Sequence, residues 1–469
     1  MSKEMKLTIG LEIHVQLPTK TKLFSGSKAQ GCDEPNKNIC AFDLAVPGTL
    51  PRLNKSVIKK AIEVGYALNC HINSYSEFDR KHYFYPDSPF NYQITQFYNP
   101  ICTGGYIQLE NRKINIHHFH IETDAGKMIH QNNDSYLDFN RVGIPLIEIV
   151  TEPEIHTVEE FKNFIYELTL RLNYLGINCN MELGNFRMDV NLSVSNNDKL
   201  GTRVEIKNLN SVKFAIEAIN YEYQRHVETL NKGEKIICET KGYNSDTKKT
   251  FTMRVKDDVL DYRYVPDYNI APLEITNETL EEIKMHIPEM PDSKRMRYSD
   301  IGSESKEVLI SDFRISRFFD EASAGMLNCQ LIANLIANDL VGICKKENIN
   351  IWECNVTSEF INSIAKLHSS DKISTKTAKF LLQKSFDTGK HPERIVEDEG
   401  LIKITDDLQL QPIIDEVLKE DLNSVEKYLK GDEKIIMFFL GRVIKKTSNR
   451  ADPLVTQKLL KITLENFIV

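Results

Sequence analysis

The sequence has few features of a disulfide-bonded or zinc-binding protein. Its 469 residues include nine cysteines, and no two of them form a CxxC pair. Isolated cysteines indicate free thiols in a reducing compartment rather than a disulfide framework. The segment 23–48 holds only Cys32 and Cys40, which are too few thiols for a structural zinc site of four ligands.

Motifs of several large enzyme classes are also missing. The chain has no GxxxxGK[ST] motif, so any ATP would not be bound by a P-loop. It has no GxSxG elbow and no serine-rich glycine loop, so we find no nucleophile for amide hydrolysis. The N-terminus lacks a signal core, and no run approaches the roughly 18 apolar residues of a membrane span. We therefore expect a cytoplasmic protein with no membrane partner.

Charge and length narrow the possibilities further. The net charge of −8 argues against a protein that coats nucleic acid with a generally basic surface, although a local basic patch is still compatible with it. The composition, with 41% hydrophobic and 27% charged residues, is typical of a globular protein. The chain is too long for a single core, and about 150 residues per domain suggests two to four domains.

The pattern of predicted elements changes along the chain. Residues 1–290 mix short strands with a few helices, which indicates an α+β fold, whereas the pattern is helical from 291 onward. We place boundaries near residues 290 and 400, which gives predicted domains of 1–290, 291–400 and 401–469.

Local signals predict individual elements in the first domain. Residues 106–124 have the pattern of a hairpin, and 145–154 that of a strand. Thr157 and Glu160 are spaced as a capping box for a helix over 157–175.

Three strand patterns place acid or imidazole groups on alternate residues. In IGLEIHVQL, residues 9–17, Glu12 and His14 share one face, and the apolar residues share the other. The other two patterns carry His118, His120, Glu122, Glu148 and Glu152. If the strands are neighbours, these groups form a carboxylate-rich cage suited to Mg²⁺ or Mn²⁺ rather than zinc. The candidate metal ligands are Glu12, His14, Glu122 and Glu148.

A bland interpretation of the same pattern stays open. The first strand could be a half-buried edge strand whose polar face is simply wet. The other groups could be surface acids and a core histidine.

Two further segments, FRMDVNLSV and GTRVEIKNLNS, resemble strands but carry unusual residues. Asn and Asp are poor strand formers, so four of them here suggest pairing with a ligand or a metal. The polar residues of these segments are Arg187, Asp189, Asn191, Arg203, Glu205, Lys207, Asn208 and Asn210. Residues 79–97 form an aromatic-rich stretch that contains Arg80, Lys81 and Asp87 and is a further candidate for the site. The alternative is a loop whose aromatic side chains pack into the core.

The C-terminal region is helical and locally basic. Pro412 starts a predicted helical stretch, and Asp452 with Pro453 supplies the N-cap and first residue of a last helix. Within 431–469, seven basic residues oppose four acidic ones, a balance of +3. This charge suits contact with a phosphate backbone, and a solvated helical face is the alternative. The basic residues include Arg442, Lys445, Lys446 and Arg450.

Taken in order, the motifs resemble one family, the B subunit of aspartyl/glutamyl-tRNA(Asn/Gln) amidotransferase. The matching segments run from residue 8 to about 462 and include IGLEIHVQL, DLAVPGTLPRLN, FDRKHYFYPD, HIETDAGK, DFNRVGIPLIEIVTEPE, FRMDVNLSV, GTRVEIKNLNS, DYRYVPD and GRVIKKTSNRADP. The resemblance implies a mixed-sheet cradle domain, an all-α helical domain and a small helical tail that binds tRNA.

The resemblance also implies a reaction and its partners. A protein of this kind binds tRNA mischarged with glutamate or aspartate and phosphorylates the side-chain carboxylate with ATP and Mg²⁺. Ammonia from a partner amidase, the A subunit of the assembly, then forms the amide. A small third partner, the C subunit, completes a heterotrimer. The missing nucleophile fits this division of labour.

The resemblance assigns expected roles to individual residues. Glu12, His14, Glu122 and Glu148 would hold the metal for phosphoryl transfer, and Lys81 and Tyr83 would lie near the ammonia path. The ATP and metal cradle would be lined by Arg187, Asp189, Asn191, Asn208 and Asn210.

The sequence departs from the family pattern at several positions. Thr123 replaces a frequent second acid, which favours Glu122 as the ligand, and His82 and His118 replace commoner Asn and Arg. The places of a zinc site in some relatives are held by Ser25, Ser27, Cys40 and Asp43, so we expect no zinc. A tRNA-binding scaffold without chemistry and a stand-alone metallohydrolase are the rival functions.

Overall fold

The computed structural model describes residues 5–255, 261–326, 329–447 and 450–466. The chain divides into two compact units, Met1–Pro291 and Asp292–Val469. The first unit contains mixed α/β structure built on a large sheet, and the second is helical in its described part.

The first unit contains the strands of the described chain. They are β1 (Lys6–Gln16), β2 (His71–Ile72), β3 (Tyr75–Ser76), β4 (Asp79–His82), β5 (Tyr92–Thr95), β6 (Cys102–Thr103), β7 (Tyr106–Gln108), β8 (Lys113–Thr123), β9 (Lys127–Gln131), β10 (Asp134–Asp138), β11 (Pro145–Thr151), β12 (Phe186–Ser195), β13 (Val204–Lys207), β14 (Glu239–Asn244), β15 (Lys249–Val255), β16 (Val265–Pro266) and β17 (Leu273–Glu274).

Helices follow one another through both units. They are α1 (Lys55–Ala67), α2 (Val158–Tyr174), α3 (Val212–Asn231), α4 (Asn277–Lys284), α5 (Pro291–Arg297), α6 (Ser303–Ile310), α7 (Phe313–Ser323), α8 (Gln330–Asn334), α9 (Val341–Lys346), α10 (Ser358–Ser369), α11 (Thr375–Thr388), α12 (Pro392–Glu399), α13 (Asp407–Lys419), α14 (Leu422–Leu429), α15 (Ile435–Lys446) and α16 (Pro453–Glu465). Short 3₁₀ turns lie at Phe139–Arg141 and Ile351–Glu353, and a π-helical stretch at Leu335–Leu340 joins α8 to α9.

The ten-stranded sheet is the frame of the first unit. Its strand order is β15, β14, β13, β12, β1, β11, β8, β6 and β2, and β7 pairs with β8. Strand β13 runs parallel to β14, and the other neighbours named here run antiparallel. Strands β16, β4 and β5 form a separate small sheet.

Strand β1 lies in the interior of the large sheet, between β12 and β11. Its apolar side chains Ile9, Ile13 and Val15 are fully buried, because alternate residues of a strand point to the same face. The alternative that this segment is an edge strand is therefore wrong. The opposite face, which carries Glu12 and His14, is only partly buried.

The local signals of the first unit match its elements closely. Strands β7 and β8 form the hairpin predicted in 106–124, and β11 occupies most of 145–154. Helix α2 begins after Thr157, whose side chain accepts a hydrogen bond from the Glu160 amide. The predicted capping box is only half formed, since the Glu160 carboxylate accepts from the His156 amide rather than from Thr157.

The end of the second unit has its own apolar core. Leu410, Ile414, Phe439, Val443 and Leu460 belong to this cluster, which joins α13 to α16. Asp452 caps α16, and Pro453 is its first residue, as predicted.

Pro412 does not start a helix, because α13 already begins at Asp407, after the N-cap Asp406. Pro412 is the sixth residue of α13, so it lacks the amide that would donate to the Leu408 carbonyl oxygen, and its ring crowds that carbonyl.

Within the described residues, no helix combines the length and apolarity needed to cross a membrane.

Two adjacent glycines before β7 differ sharply in the space around them. Both have positive φ, +64° at Gly104 and +106° at Gly105. A Cβ atom at Gly105 would lie 2.4 Å from the Cys70 Sγ and 2.8 Å from the Leu68 carbonyl oxygen, whereas a Cβ at Gly104 would meet nothing within 4 Å. Only Gly105 therefore combines backbone strain with a collision against backbone.

We predict unequal losses of stability from alanine at these two positions. Gly104→Ala should cost about 1 kcal/mol, the penalty of a left-handed residue. Gly105→Ala should cost roughly 3 kcal/mol or more, because strain and overpacking add. Urea unfolding of the full chain, followed by circular dichroism, measures the difference. Equal losses in the two variants would contradict the described packing.

Candidate active site

The register of four neighbouring strands brings the predicted polar residues onto one face of the sheet. His14 on β1 lies opposite Glu148 on β11, and Glu148 lies opposite His120 on β8. On the other side of β1, Arg187 lies opposite His14 and Asp189 lies opposite Glu12. Polar groups on alternate residues of β12, β1, β11 and β8 therefore form short rows across the strands.

Three side chains of this face meet at one point: His14 on β1, Glu148 on β11 and Glu122 on β8. We call them the imidazole trio. The His14 Nε2 atom lies 3.3 Å from a carboxylate oxygen of Glu122 and 3.3 Å from one of Glu148. Glu122 is only 2% exposed, so its charge depends on the protein rather than on water. The second imidazole, His120, places Nε2 at 3.6 Å and 3.5 Å from the same two carboxylates.

Electrostatics in the imidazole trio favour a proton on His14. Burial alone would lower the pKa of His14, but Glu122 and Glu148 outweigh it and raise the value to about 10. The same contacts hold the pKa of Glu122 below its ordinary value in spite of its burial. Without a bound cation, the histidine therefore supplies the positive charge between the two carboxylates.

A second group lies on the β13 side of β1, and we call it the carboxylate trio: Glu12, Asp189 and Glu205. Its ligand atoms lie within 4.8 Å of one another. The Lys207 Nζ atom lies 2.5 Å from Asp189 and 2.8 Å from Glu205. Burial opposes the charge of Lys207, yet these two contacts raise its pKa.

Asn191 connects β12 to the carboxylate trio. Its Nδ2 atom donates to Glu12 at 2.9 Å, and its Oδ1 atom is buried with no hydrogen-bond partner among the described residues. Burial and the charge of Glu148 raise the pKa of Glu12, while the bond from Asn191 lowers it in part. The pKa of Glu12 thus depends on groups of both trios, although its carboxylate oxygens cluster with the carboxylate trio.

The donor set suits a divalent cation. Each trio brings three ligand atoms within 4.8 Å, and two buried polar atoms, His120 Nδ1 and Asn191 Oδ1, have no partner in the described chain. Carboxylate oxygens with one imidazole are ligands for hard ions such as Mg²⁺ or Mn²⁺. The residues present therefore fit such an ion, with the predicted ligands divided between two adjacent groups.

A cleft of about 490 Å³ opens over this face of the sheet, and we call it the main cleft. Its lining includes Glu12, Lys81, His118, Glu148 and Tyr264. A second cleft of about 930 Å³, the aromatic cleft, is lined by Tyr83, Phe84, Tyr85, Tyr262 and also Lys81. Lys81 is therefore shared by the two clefts.

Lys81 and Tyr83 extend from the small sheet toward this region. Burial would lower the pKa of Lys81, but Tyr264 and the charges of Glu122 and Glu148 raise it. Its Nζ atom lies 4.9 Å from the centre of the Tyr262 ring. Burial raises the pKa of Tyr83 to about 12, so its hydroxyl stays protonated at neutral pH.

Arg187 does not point freely into the site, because Asp124 holds it. The Arg187 guanidinium donates to one oxygen of Asp124 at 2.9 Å. Gln16 donates to the other oxygen at 3.2 Å, and Arg141 lies 3.3 Å from it. Asp124 thus fixes the end of β1 to the loop after β8.

Asn208 and Asn210 make no described hydrogen bond to either trio. Both are exposed and follow the last residue of β13, and Asn208 has a positive φ of 62°. Thr123 contacts the backbone of Ile94 instead of the site, because it faces away from Glu122 on the same strand.

Of the four positions considered for a zinc site, three donate hydrogen bonds to the carboxylate of the fourth. Asp43 accepts hydrogen bonds from the hydroxyls of Ser25 and Ser27 and from the Cys40 amide. Lys22, fully buried, lies 3.3 Å from Asp43. The absence of zinc stays a prediction.

The predicted nucleic-acid residues of the tail have unequal surroundings. Lys446 lies 2.7 Å from Glu416 and 2.7 Å from Glu420, and Arg442 lies 2.6 Å from Glu420. Arg450 donates to the carbonyl oxygens of Thr447 and Gly400. Lys445 is exposed, and no described acid pairs with it.

Sequence reasoning gave Glu205 and Lys207 no specific role and missed Thr240 altogether. The Thr240 hydroxyl on β14 donates to Glu205 at 3.0 Å, because the parallel register sets these two residues opposite each other. Alternation along VEIK in β13 was the available signal for Glu205. Nothing local marks Thr240, since its role comes from pairing with a distant strand.

The chain matches family models and known proteins along most of its length. A family model described as the GatB/GatE catalytic domain matches residues 7–281, and one described as the GatB domain matches residues 317–464. The chain is 43% identical to the B subunit of the aspartyl/glutamyl-tRNA(Asn/Gln) amidotransferase of Rickettsia conorii (strain ATCC VR-613 / Malish 7), covering 98% of this chain and 97% of that one. It is 41% identical to the protein of the same name from Persephonella marina (strain DSM 14350 / EX-H1), covering 98% of this chain and 100% of that one.

We predict that cation binding at the imidazole trio releases a proton. A bound cation needs neutral His14, whose pKa of about 10 keeps it protonated until then. Addition of Mn²⁺ at pH 8 should therefore release close to one proton per ion, where a histidine of ordinary pKa would release almost none. Titration calorimetry in buffers of different ionisation enthalpy measures this number.

The His14→Gln variant is the control for that measurement. It should bind Mn²⁺ more weakly and release almost no proton. Wild-type binding without proton release would show that His14 is not the group that the cation displaces.

Proposed function

The chain belongs to the GatB/GatE family, and we propose that it is the subunit that converts mischarged Glu-tRNA(Gln) or Asp-tRNA(Asn) to the correctly charged tRNA. It phosphorylates the side-chain carboxylate with ATP and passes the acyl phosphate to ammonia. The observation that carries the proposal is the pair of adjacent trios, His14 with Glu122 and Glu148 and Glu12 with Asp189 and Glu205. Glu12 and Glu148 line the main cleft, and the sequence has neither a GxSxG elbow nor a serine-rich glycine loop for glutamine hydrolysis.

The first half-reaction joins two anions, a carboxylate and the phosphate of ATP. The site must therefore offset their negative charges. A carboxylate oxygen of the aminoacyl side chain attacks the γ-phosphorus of ATP, the bond to ADP breaks, and an acyl phosphate forms. Protonated Lys81 lines the main cleft and faces the developing negative charge. Lys207 offsets the charge of Asp189 and Glu205, which lowers the repulsion between the carboxylate trio and phosphate.

A divalent cation held by His14, Glu122 and Glu148 would neutralise phosphate charge when bound. The role of the chain is to keep those side chains in place. Antiparallel pairing fixes His14 opposite Glu148, and Asn191 orients Glu12. Asp189 and Asn191 lie beside Glu12 and are proposed to border the ATP site with Arg187, whereas Asn208 and Asn210 would border it from the end of β13.

The second half-reaction needs neutral ammonia and little water. Ammonia attacks the carbonyl carbon, the bond to phosphate breaks, and the nitrogen loses a proton as the amide forms. We place its approach through the aromatic cleft, where Tyr83 and Tyr262 stand beside Lys81. Because Lys81 borders both clefts, it marks the point at which ammonia would enter the main cleft.

Family membership supports an assembly of several subunits that acts on tRNA with ATP. We propose that the partners are an amidase, which generates ammonia, and a small third subunit. The first unit would be the catalytic cradle domain, the helical region 291–400 a connecting domain, and 401–469 a tRNA-binding tail.

The decisive experiment separates amide formation from glutamine hydrolysis. The full-length chain, without partners, should form Gln-tRNA(Gln) or Asn-tRNA(Asn) from mischarged tRNA, ATP and ammonium chloride, and it should make no amide from glutamine. Measurement of deacylated amino acids gives the yield. Robust use of glutamine by the chain alone would refute the assignment.

Two variants tie the activity to the trios. Glu12→Gln and Glu148→Gln keep side-chain shape but remove charge, so ATP cleavage dependent on mischarged tRNA should fall by a factor of roughly 100 or more. In the assembled complex, glutamine hydrolysis should persist. Unchanged ATP cleavage in both variants would favour a tRNA-binding scaffold, and ATP-independent hydrolysis without tRNA would favour a metallohydrolase.

The predicted contribution of the tail to tRNA binding depends on which of its lysines is not paired with an acid. Replacing Lys445 and Lys446 together by alanine should weaken tRNA binding and flatten its salt dependence by about 0.9 per lost phosphate contact. Most of the effect should come from Lys445, because Glu416 and Glu420 neutralise Lys446. Binding measured from about 50 to 200 mM salt gives both slopes, and an unaltered slope in the double variant would show a merely solvated face.

A further inference from the structure

Three aromatic residues at the rim of the main cleft interlock, and we call them the aromatic platform: Phe97, Tyr98 and Tyr264. The rings of Phe97 and Tyr264 are stacked, with centroids 3.9 Å apart and planes inclined by 12°. Tyr98 meets Phe97 edge to face at 5.1 Å. Although Tyr264 covers one face of its ring, Phe97 is still 54% exposed.

Three hydrogen bonds connect the aromatic platform to the backbone and to Asp79. The buried carboxylate of Asp79 accepts hydrogen bonds from the amides of Phe97 and Tyr98 at 2.7 Å and 3.0 Å. The Tyr98 hydroxyl donates to the Tyr264 carbonyl oxygen at 3.3 Å. An exposed aromatic group that is fixed in this way loses little conformational entropy when a flat ligand stacks on it.

The location of the aromatic platform relates it to the reacting groups. Phe97 and Tyr264 line the same cleft as Glu12, Lys81 and Glu148. In a glutamyl ester, five bonds separate the side-chain carboxyl carbon from the ribose oxygen, a span of roughly 6 Å with bonds of about 1.5 Å. A side-chain carboxylate that reaches Glu12 or Glu148 therefore leaves the terminal nucleoside close to the cleft that Phe97 and Tyr264 also line.

We propose that the aromatic platform stacks the terminal adenine base of the mischarged tRNA. The proposal rests on the proposed function and assigns it a substrate-binding residue, Phe97, outside the groups that carry the chemistry. Base stacking on an aromatic ring needs no sequence-specific hydrogen bond, so one platform would serve every tRNA that ends in the same nucleotide. It would fix the ester relative to the acids without touching the amino acid.

A partner protein is the competing occupant of these exposed rings. Continuity favours the base, because both stacked rings line the same cleft as Glu12 and Glu148. Aromatic residues placed for a protein partner would have no need to border these acids. The aromatic cleft, by contrast, has its own exposed rings, Phe84 and Tyr85.

The test uses the assembled complex and a mischarged tRNA whose terminal adenine is replaced by 2-aminopurine. Stacking quenches the fluorescence of this base. Binding to the wild-type complex should quench it at least twofold, and Phe97→Leu should abolish the quenching. Phe97→Trp should retain it. The KM for mischarged tRNA should rise roughly 10-fold in Phe97→Leu, the lower part of the range for loss of one stacked base.

Controls separate the platform from assembly and from the reaction itself. Tyr136→Leu removes a ring with the same 54% exposure elsewhere in the first unit, and it should leave quenching and KM unchanged. Undiminished quenching in Phe97→Leu would overturn the proposal. The proposal would also be overturned if sedimentation showed that Phe97→Leu impairs assembly of the complex while the complex that still forms quenches normally. A wild-type complex that forms no amide would instead overturn the proposed function.

Discussion

The pairing of β1 with a neighbour on each side is the constraint on which the site depends. Antiparallel registers place His14 opposite Glu148 and Glu12 opposite Asp189. A slip of one residue would turn Glu12 and His14 into the core and expose Ile13 to the cleft, because side chains alternate along a strand. The fully buried side chains of Ile9 and Ile13 oppose such a slip. Packing on one face of β1 therefore sets the chemistry on the other.

Charge balance is the second requirement of this arrangement. The two trios bring five carboxylates together with one imidazole, and unpaired buried carboxylates would be costly. Protonated His14 answers this demand in one trio, and Lys207 answers it in the other. The two solutions differ in kind, since a histidine can give up its proton to make way for a cation, whereas Lys207 keeps its charge. The charges of both trios are thus offset within the protein, and in one of them the offsetting charge is a proton that a cation could replace.

Alternation along single strands made much of the site predictable from sequence. It placed Glu12 and His14 on the same face of one strand. It also indicated Glu122 and Glu148, because each of them lies in a strand with alternating polar and apolar residues. It could not reveal that Glu12 clusters with Asp189 and Glu205, since that depends on the order of strands in the sheet. Pro412 misled for a related reason: a proline inside α13 has the same local signature as one that opens a helix. The charges of the tail were visible, but their pairing with Glu416 and Glu420 was not, because it joins two helices.

Asp79 is two residues from Lys81 on β4, and its carboxylate also grips the amides of Phe97 and Tyr98. Strand β4 pairs with β5 on one side and with β16 on the other, so the segments that carry Lys81, Phe97 and Tyr264 are linked through one small sheet and the Asp79 carboxylate. A displacement of the rim would carry the Lys81 ammonium with it. The three-stranded sheet therefore links the aromatic residues of the main cleft to the lysine that borders the aromatic cleft.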